Sequence, residues 1–284
     1  MDATQNLNVG LLHPGAMGST VGAAALPCVR QVLWASEGRS PASRRRAEEA
    51  GLSDAKSLEN LVREVDLLVA VCPPAAALAL AERVATLRYR GLFVDANAVS
   101  PDSARQIAAV VARGGASAVD GGIIGQPARR AGTTTLHLSG ERASEVASCF
   151  AKGPLEARVL DRPIGAASAL KMTFAAYTKG TAALLAAIHA LALAEGVEGE
   201  LAREWERLLP ELPDRLRGLP TTAPKAWRFV AEMREIAASL ESAGLPGGFH
   251  DAAAQIYERL EGFKDAPELP SLAAMAAALR QRSS

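Results

Sequence analysis

The sequence is poor in aromatic residues, which make up 4% of its 284 positions. A core with few rings relies on aliphatic packing, and the prevalence of Ala and Leu leans toward helices. There are 3 cysteines, Cys28, Cys72 and Cys149, widely spaced and odd in number. That excludes a disulfide framework and a C-x-x-C metal pair, and fits a reducing, cytoplasmic setting. The 4 histidines show no H-E-x-x-H spacing, so no metal site is expected. Net charge is absent as well: 31 basic residues balance 31 acidic ones. A neutral chain has no general pull toward nucleic acid or membrane. The longest apolar-rich stretch, residues 182–194, is short for a membrane span and contains His189. Met1-Asp2-Ala3-Thr4-Gln5 lacks the basic and then apolar pattern of a signal peptide. Neither a Gly-x-Ser-x-Gly elbow nor a P-loop occurs.

What the chain does have is alternation. Short apolar runs at 7–12, 31–35, 67–72, 92–95, 116–120 and 133–138 predict strands. Amphipathic stretches at 16–26, 41–50, 57–64, 75–86 and 101–113 predict the helices between them. The strand runs are continuously apolar, as in Leu67-Leu68-Val69-Ala70-Val71, which is how parallel strands covered on both faces read. A βαβ series of this kind predicts a doubly wound, mostly parallel α/β sheet of the Rossmann type. A helix at 141–150 and a short strand at 157–160 would complete that domain, set at residues 1–162. From 164 to 196 there is no proline, which predicts one helix of roughly thirty residues ending at Gly196. Helix-like stretches at 200–209, 227–243, 249–262 and 271–281 follow, so residues 163–284 are expected to be all-helical.

The most informative local signal is His13-Pro14-Gly15-Ala16-Met17-Gly18, between the first strand and the first helix. Such a turn offers unpaired backbone N–H groups and the positive end of a helix dipole to an anion. It differs from G-x-G-x-x-G at one place, where His13 replaces the first glycine. The backbone there either turns without a positive φ or tolerates strain. Cofactor contacts are expected from His13, Pro14, Gly15, Ala16 and Met17.

The loop after the second strand, Ser36-Glu37-Gly38-Arg39-Ser40, faces the adenine ribose in such a fold. Arg39 and Ser40, with Ser36 beside them and Arg44 behind, suit a 2′-phosphate and favour NADP over NAD. Glu37 is the competing signal, since a carboxylate would take a free ribose hydroxyl or repel a phosphate. Cys72-Pro73 ends the 67–72 strand, either beside the nicotinamide ribose or as a simple strand stop. Asn97 and Ser100 lie at the carboxyl edge of the sheet, where ligands bind in open α/β folds. Ser100 with Pro101 behind it also reads as a helix N-cap. Asp120-Gly121-Gly122-Ile123-Ile124-Gly125-Gln126 reads as a loop that lets a substrate approach, which makes Ile124 and Gly125 substrate candidates. Lys171 stands early in the long helix among uncharged neighbours. A lysine desolvated beside a cofactor can exchange a proton with a substrate oxygen; a lysine snorkelling at a domain seam would look the same. Thr178 shares its helix face and carries a hydroxyl. His137 and His189 read as packing residues, and His250, next to Gly247-Gly248-Phe249, as a weaker cleft candidate.

These elements together resemble the β-hydroxyacid dehydrogenase superfamily, which includes 6-phosphogluconate and 3-hydroxyisobutyrate dehydrogenases and the imine reductases. The resemblance covers nearly the whole chain. It is carried by the turn with Met17 before Gly18, the 95–101 segment, the 120–126 segment and Lys171. Residues 170–180 and 226–237 are similar to a 6-phosphogluconate-dehydrogenase-like branch with a C-terminal domain of unknown function. The resemblance implies a dinucleotide-binding domain, a long linking helix and a helical domain that interlocks with a second subunit as a homodimer. It also implies that Lys171 is catalytic toward a small carbonyl or hydroxy substrate between the domains. Two positions depart from the pattern. The usual asparagine four residues after the lysine is Ala175. The usual serine and two glycines of the substrate segment are Ile124, Gly125 and Gln126. Both changes remove groups that would hold a hydroxy-carboxylate. Imine reductases typically replace the lysine, so its presence tilts toward carbonyl and alcohol chemistry. Imine reduction and a non-catalytic NADP-binding sensor are the alternatives.

Overall fold

The computed structural model describes residues 3–264 and 266–281. The chain divides into two compact units, Met1–Met172 and Thr173–Ser284.

The first unit carries strands β1 (Asn8–Leu12), β2 (Gln31–Trp34), β3 (Ser53–Asp54), β4 (Leu67–Ala70) and β5 (Leu92–Asp95). They are followed by β6 (Ser117–Gly125), β7 (Thr134–Ser139) and β8 (Glu156–Val159). Helices α1 (Gly18–Ala25), α2 (Pro41–Glu49), α3 (Leu58–Glu64), α4 (Pro74–Thr86), α5 (Pro101–Gly114) and α6 (Ala143–Ser148) connect them. The sheet has 8 strands in the order β3-β2-β1-β4-β5-β6-β7-β8. All pairs are parallel except β6 with β7.

The apolar runs form strands because alternate residues serve opposite faces. Val9, Leu11, Val32, Leu67, Val69, Leu92 and Val94 join one buried layer, with Val21 and Ala24 of α1 and Val146 of α6. Their neighbours Leu12, Leu33, Leu68, Ala70 and Phe93 join the other, with α3, α4 and α5 supplying Leu61, Leu80 and Ile107. This is the doubly wound arrangement expected from the sequence.

One expectation fails. The 120–126 segment is not a loop. Residues from Asp120 to Gly125 continue β6 and pair antiparallel with β7, Ile124 opposite Thr135 and Gly125 opposite Thr134. Antiparallel partners allow one strand to run on past the parallel sheet's edge, which an isolated apolar run at 116–120 does not reveal. The sheet's outer strands are short or charged: β3 has 2 residues, and in β8 Arg158 Nε donates to Glu156 Oε1 at 2.7 Å.

Helix α7 (Ala166–Glu195) begins in the first unit and continues through the division. By length and composition alone it would also cross a membrane. Its first turn, however, is hydrogen-bonded to β6, and Ala167 and Met172 are fully buried. That end belongs to a protein interior.

The second unit adds α8 (Glu198–Leu208), α9 (Leu212–Gly218), α10 (Ala226–Ser242), α11 (Gly248–Glu258) and α12 (Leu272–Arg280). A 3-10 helix, Leu219–Lys225, leads into α10. Met233 and Ile236 of α10 are buried, as are Ala253 and Tyr257 of α11. Lys179 forms an ion pair with Glu232 and lies 4.5 Å over the Phe229 ring. The Tyr257 hydroxyl donates to the Lys179 carbonyl at 2.8 Å.

Candidate active site on the carboxyl edge of the sheet

Strand register fixes where the functional segments lie. Leu12 of β1 is level with Ala70 of β4, Ala70 with Asp95 of β5, and Asp95 with Asp120 of β6. One or two residues beyond this row stand His13, Cys72, Asn97 and Gly122. The sequence-derived candidates from these four strands thus share one edge, about 14 Å from β1 to β6 at ordinary strand spacing.

The first turn is built around a positive φ of 72° at His13. Of the two alternatives open in the sequence, the backbone takes the strained one. Gly18 is required here, because a Cβ would collide with the His13 carbonyl oxygen. Gly15 differs: a Cβ there meets nothing within 4 Å, so the turn's mouth is open. The amides of Ser19, Thr20 and Val21 bond the carbonyls of Gly15, Met17 and Met17. The earlier amides, at Ala16, Met17 and Gly18, are those a helix start leaves for another acceptor. Arg46 of α2 donates through Nε to the Pro14 carbonyl at 3.1 Å and holds the turn from behind.

The loop after β2 closes on the same end of the sheet. Ser36 is buried, and its carbonyl accepts from Arg44 Nη2 at 2.8 Å. Arg44 therefore braces the loop. Ser40 caps α2 by accepting from the Ser43 amide at 3.2 Å. Arg39 lines a small depression of about 40 Å³ together with His13, Glu37, Leu80 and Arg83. Burial, and after it the charge of Arg83, pushes the Arg39 guanidinium below its ordinary value. Burial, Arg39 and Arg83 lower His13 from its usual 6.5 to about 4. The depression thus brings two guanidiniums together, with the Glu37 carboxylate in the same lining and Glu59 near Arg83. An open cradle at Gly15 and two guanidiniums beside it fit the diphosphate and ribose end of a dinucleotide. Arg83 was not legible in the sequence: it sits in α4, far along the chain from Arg39, and only the fold brings them together.

Asn97 is 3% exposed and ties two strand ends. Its Oδ1 accepts from the Cys72 amide at 2.6 Å, and its Nδ2 donates to Asp95 Oδ1. Burial, then Asp95, pushes the Cys72 thiol up to about 12, so it stays neutral. Pro73 precedes α4, with Pro74 at its first position. Ser100 caps α5, accepting from the Ser103 amide at 3.2 Å.

Lys171 is placed by β6. A Cβ on Gly122 would lie 2.5 Å from the Ala167 carbonyl oxygen and 3.1 Å from Lys171 Cβ, so only glycine lets α7 come this close. Asp120 locks the same junction. Its Oδ2 accepts from the amides of Gly165 (2.8 Å), Ala167 (3.0 Å) and Ser168 (3.1 Å) and from Ser139 Oγ (2.9 Å). Its Oδ1 accepts from Ser168 Oγ at 2.6 Å. A buried carboxylate at a helix start satisfies orphan amides and complements the dipole. The sequence held a signal for this, since an acid in an apolar strand must find donors. Ile124 and Gly125 lie farther along β6, half-buried and exposed.

Thr178 is seven residues beyond Lys171, in the second unit. Its hydroxyl donates to the Phe174 carbonyl at 3.1 Å. It lines an apolar cavity of about 700 Å³ with Leu185, Ile188 and Trp205. His250 is buried, its Nε2 3.2 Å from the Ala176 carbonyl, as a packing residue would be. Among the described residues no cluster of His, Cys, Asp or Glu could hold a metal ion.

Comparison with known proteins identifies the family and the fold. The family described as the NAD binding domain of 6-phosphogluconate dehydrogenase matches residues 8–152, and a domain of unknown function, DUF1932, matches 192–260. An uncharacterised 28.5 kDa protein of Methanothermus fervidus is 28% identical over 195 residues, 69% of this chain and 74% of that protein. A conserved protein of unknown function, described as structurally similar to 3-hydroxyacid dehydrogenases, is 26% identical with a TM-score of 0.66, covering 90% and 98% of the chains. Mycobacterium tuberculosis 3-hydroxyisobutyrate dehydrogenase has the same fold, at 18% identity, a TM-score of 0.67 and coverage of 97% and 100%. So does a reductive aminase of Aspergillus terreus, at 17% identity, a TM-score of 0.56 and coverage of 97% and 100%. The chain belongs to the family of the NAD binding domain of 6-phosphogluconate dehydrogenase.

Proposed function

We propose that the protein is an NADP-dependent oxidoreductase acting on a small carbonyl or hydroxy substrate, with Lys171 as its proton-transfer residue. The observation that carries the reading is the shared edge: Lys171, seated on Gly122, stands on the same side of the sheet as the dinucleotide turn. When bound, the nicotinamide supplies or accepts the hydride. The residues of the chain do the rest. The amides from Ala16 to Gly18 and the cations behind them hold the diphosphate. Arg39 and Ser40 take the ribose phosphate, in preference to NAD. Lys171 gives a proton to the substrate oxygen in reduction or takes one in oxidation. Asp120 and Gly122 orient it by fixing the start of α7. The reductive aminase of similar fold was solved with NADPH, which supports the cofactor class. The reading includes a reducing, cytoplasmic setting for the three free cysteines. It also includes a homodimer, because Leu184 and Leu191 of α7 are 44% and 62% exposed and a second copy would cover them.

Reduction of a carbon–nitrogen double bond is the second reading. It is favoured by Ala175 and Ile124, which offer no hydrogen bond to a hydroxy-carboxylate. The test is an NADPH fluorescence titration followed by NADPH oxidation with carbonyl and imine panels. Lys171→Ala is expected to keep dinucleotide affinity and lose at least about 100-fold in carbonyl turnover, the usual scale of proton-transfer catalysis. Near-full turnover in Lys171→Ala would remove the lysine from the mechanism. Tight binding without turnover on either panel would point to a sensor.

A further inference from the structure

A cavity of about 290 Å³ lies beside α1, and the oxidoreductase reading makes no use of it. It is on the opposite face of the sheet from Lys171. Val119 and Ile123 of β6 point into the layer that holds α1, while Gly122, alternating with them, faces Lys171. Strands β1 and β2 are parallel, so the helices that follow them return side by side in the same direction. The cavity therefore has a leading and a trailing end. Ser19 and Thr20 of α1 precede Ala23 by one turn, as Arg46 of α2 precedes Glu49. The loop between β6 and β7 is pinned to the leading end, because the Ala128 amide donates to Thr20 Oγ1 at 3.0 Å. That puts Arg129 at the same end as Arg46. The loop after α6 closes the trailing end. A Cβ on Gly153 would collide with the Ala24 carbonyl oxygen, and Pro154 forms the wall.

The groove is thus polarised. Two guanidiniums and the Ser19 hydroxyl stand at one end, and the Glu49 carboxylate stands at the other among alanines and a proline. These are the three charged groups in its lining; their chain neighbours Arg45, Glu48 and Arg130 do not line it, nor does Lys152. The three do not neutralise one another. Arg46 is turned away from Glu49, with Nε donating to the Pro14 carbonyl and Nη2 to Ser43 Oγ, each at 3.1 Å. Three of its five N–H donors stay free of these bonds. Among the described residues Arg46, Glu49 and Arg129 form no ion pair.

We propose that this groove binds a free α-amino acid with a small apolar side chain. Its carboxylate lies between Arg46 and Arg129, its ammonium meets Glu49, and its side chain rests on Ala23 and Ala50. An α-amino acid carries both charges on one carbon, and positions 46 and 49 are about 5–6 Å apart on one helix face. A guanidinium fork matches a carboxylate in shape as well as charge. A simple anion would leave Glu49 facing a like charge or unpaired, and a simple cation would meet two guanidiniums. The volume is at the lower end of that of ligand sites, which suits a small molecule. The site is independent of the dinucleotide reading.

The experiment is calorimetric titration of the full chain at low ionic strength with L-alanine, L-valine and L-leucine, with and without saturating NADPH. Isobutyrate and isopropylamine each carry one of the two charges of valine, and inorganic phosphate serves as the simple anion. At least one amino acid is expected to bind about tenfold or more tightly than these three probes, with NADPH present or absent. Arg129→Met and Glu49→Gln change exposed side chains, so each should fold as the wild type does. Each should lose about tenfold in amino-acid affinity and keep its NADPH titration. Lys171→Ala should bind the amino acid unchanged, which separates the groove from the candidate active site. Equal binding of isobutyrate or isopropylamine, tighter binding of phosphate, or no binding of any of the three amino acids overturns the proposal. So does amino-acid affinity that Arg129→Met and Glu49→Gln leave untouched. Displacement of the amino acid by NADPH also overturns it, by moving the ligand to the dinucleotide turn. Absence of NADPH binding counts against the cofactor reading and not against the groove.

Discussion

Replacing Asp120 tests whether the junction that seats Lys171 is held as the geometry indicates. The carboxylate accepts from three amides and two hydroxyls, all buried. Asp120→Asn keeps the shape but removes the charge from the start of a helix. A partly buried charge at such an end contributes up to about 2 kcal/mol, and exchanging a charged acceptor for a neutral one costs about 1 kcal/mol more. The expected loss is about 2–3 kcal/mol. Asp120→Ala is worse. Ser139 Oγ still accepts from the Ala167 amide at 3.1 Å, but the Gly165 and Ser168 amides lose their partner. Two orphaned buried donors cost roughly 2–6 kcal/mol together. Amide hydrogen exchange reads this locally, without assuming a single unfolding transition for a chain of two units. The amides of residues 165–168 should exchange about 30- to 150-fold faster in Asp120→Asn, the kinetic equivalent of 2–3 kcal/mol when opening is local. Turnover should fall more than dinucleotide affinity, because the change moves Lys171 and not the first turn. Unchanged protection at 165–168, with stability within about 0.5 kcal/mol of wild type, would refute the reasoning.

Two further outcomes follow from the first turn. Gly18→Ala must push the His13 carbonyl aside, so it should destabilise the first unit and abolish dinucleotide binding, both visible in one thermal-shift titration. Gly15→Ala has open space around the new methyl group, so it should fold normally and weaken dinucleotide binding alone; equal affinity would mean that nothing approaches Gly15. The third outcome concerns pH. The folded state holds His13 at about 4 and the unfolded chain at 6.5, so between these values unfolding takes up a proton. Stability of the free protein therefore falls as pH drops from 6.5 toward 4, with a limiting slope of about 1.4 kcal/mol per pH unit. Denaturant titrations across that window should show a shallower slope in His13→Asn; identical slopes would mean that the ring is not buried among cations.

All the strands but β3 were legible, because apolar runs separated by amphipathic ones leave few alternatives. The 92–95 strand and the start of α2 at Pro41 match to the residue. The hairpin of β6 and β7 was hidden, since Gly121, Gly122 and Gly125 look like loop glycines until a pairing strand is seen. Helix α9 and the 3-10 helix after it were read as punctuation. Pro213 and Pro220 are the second residues of those helices, within the first turn where a missing N–H costs nothing, and a sequence shows only the proline. The division of labour among the arginines was equally out of reach. Arg44, expected near a phosphate, holds a backbone carbonyl, as Arg46 does, and Arg83, not expected at all, lines the depression.

The outer strands of the sheet have one more consequence. An eight-strand sheet ends in two rows of backbone groups, which are templates for another chain. Here one margin is two residues long, with Asp54 turned back on Lys56 at 2.9 Å, and the other carries an Arg158–Glu156 pair on an exposed face. Neither offers a long flat ribbon to extend. Strand-by-strand growth into fibres or domain-swapped ladders is therefore discouraged at both rims.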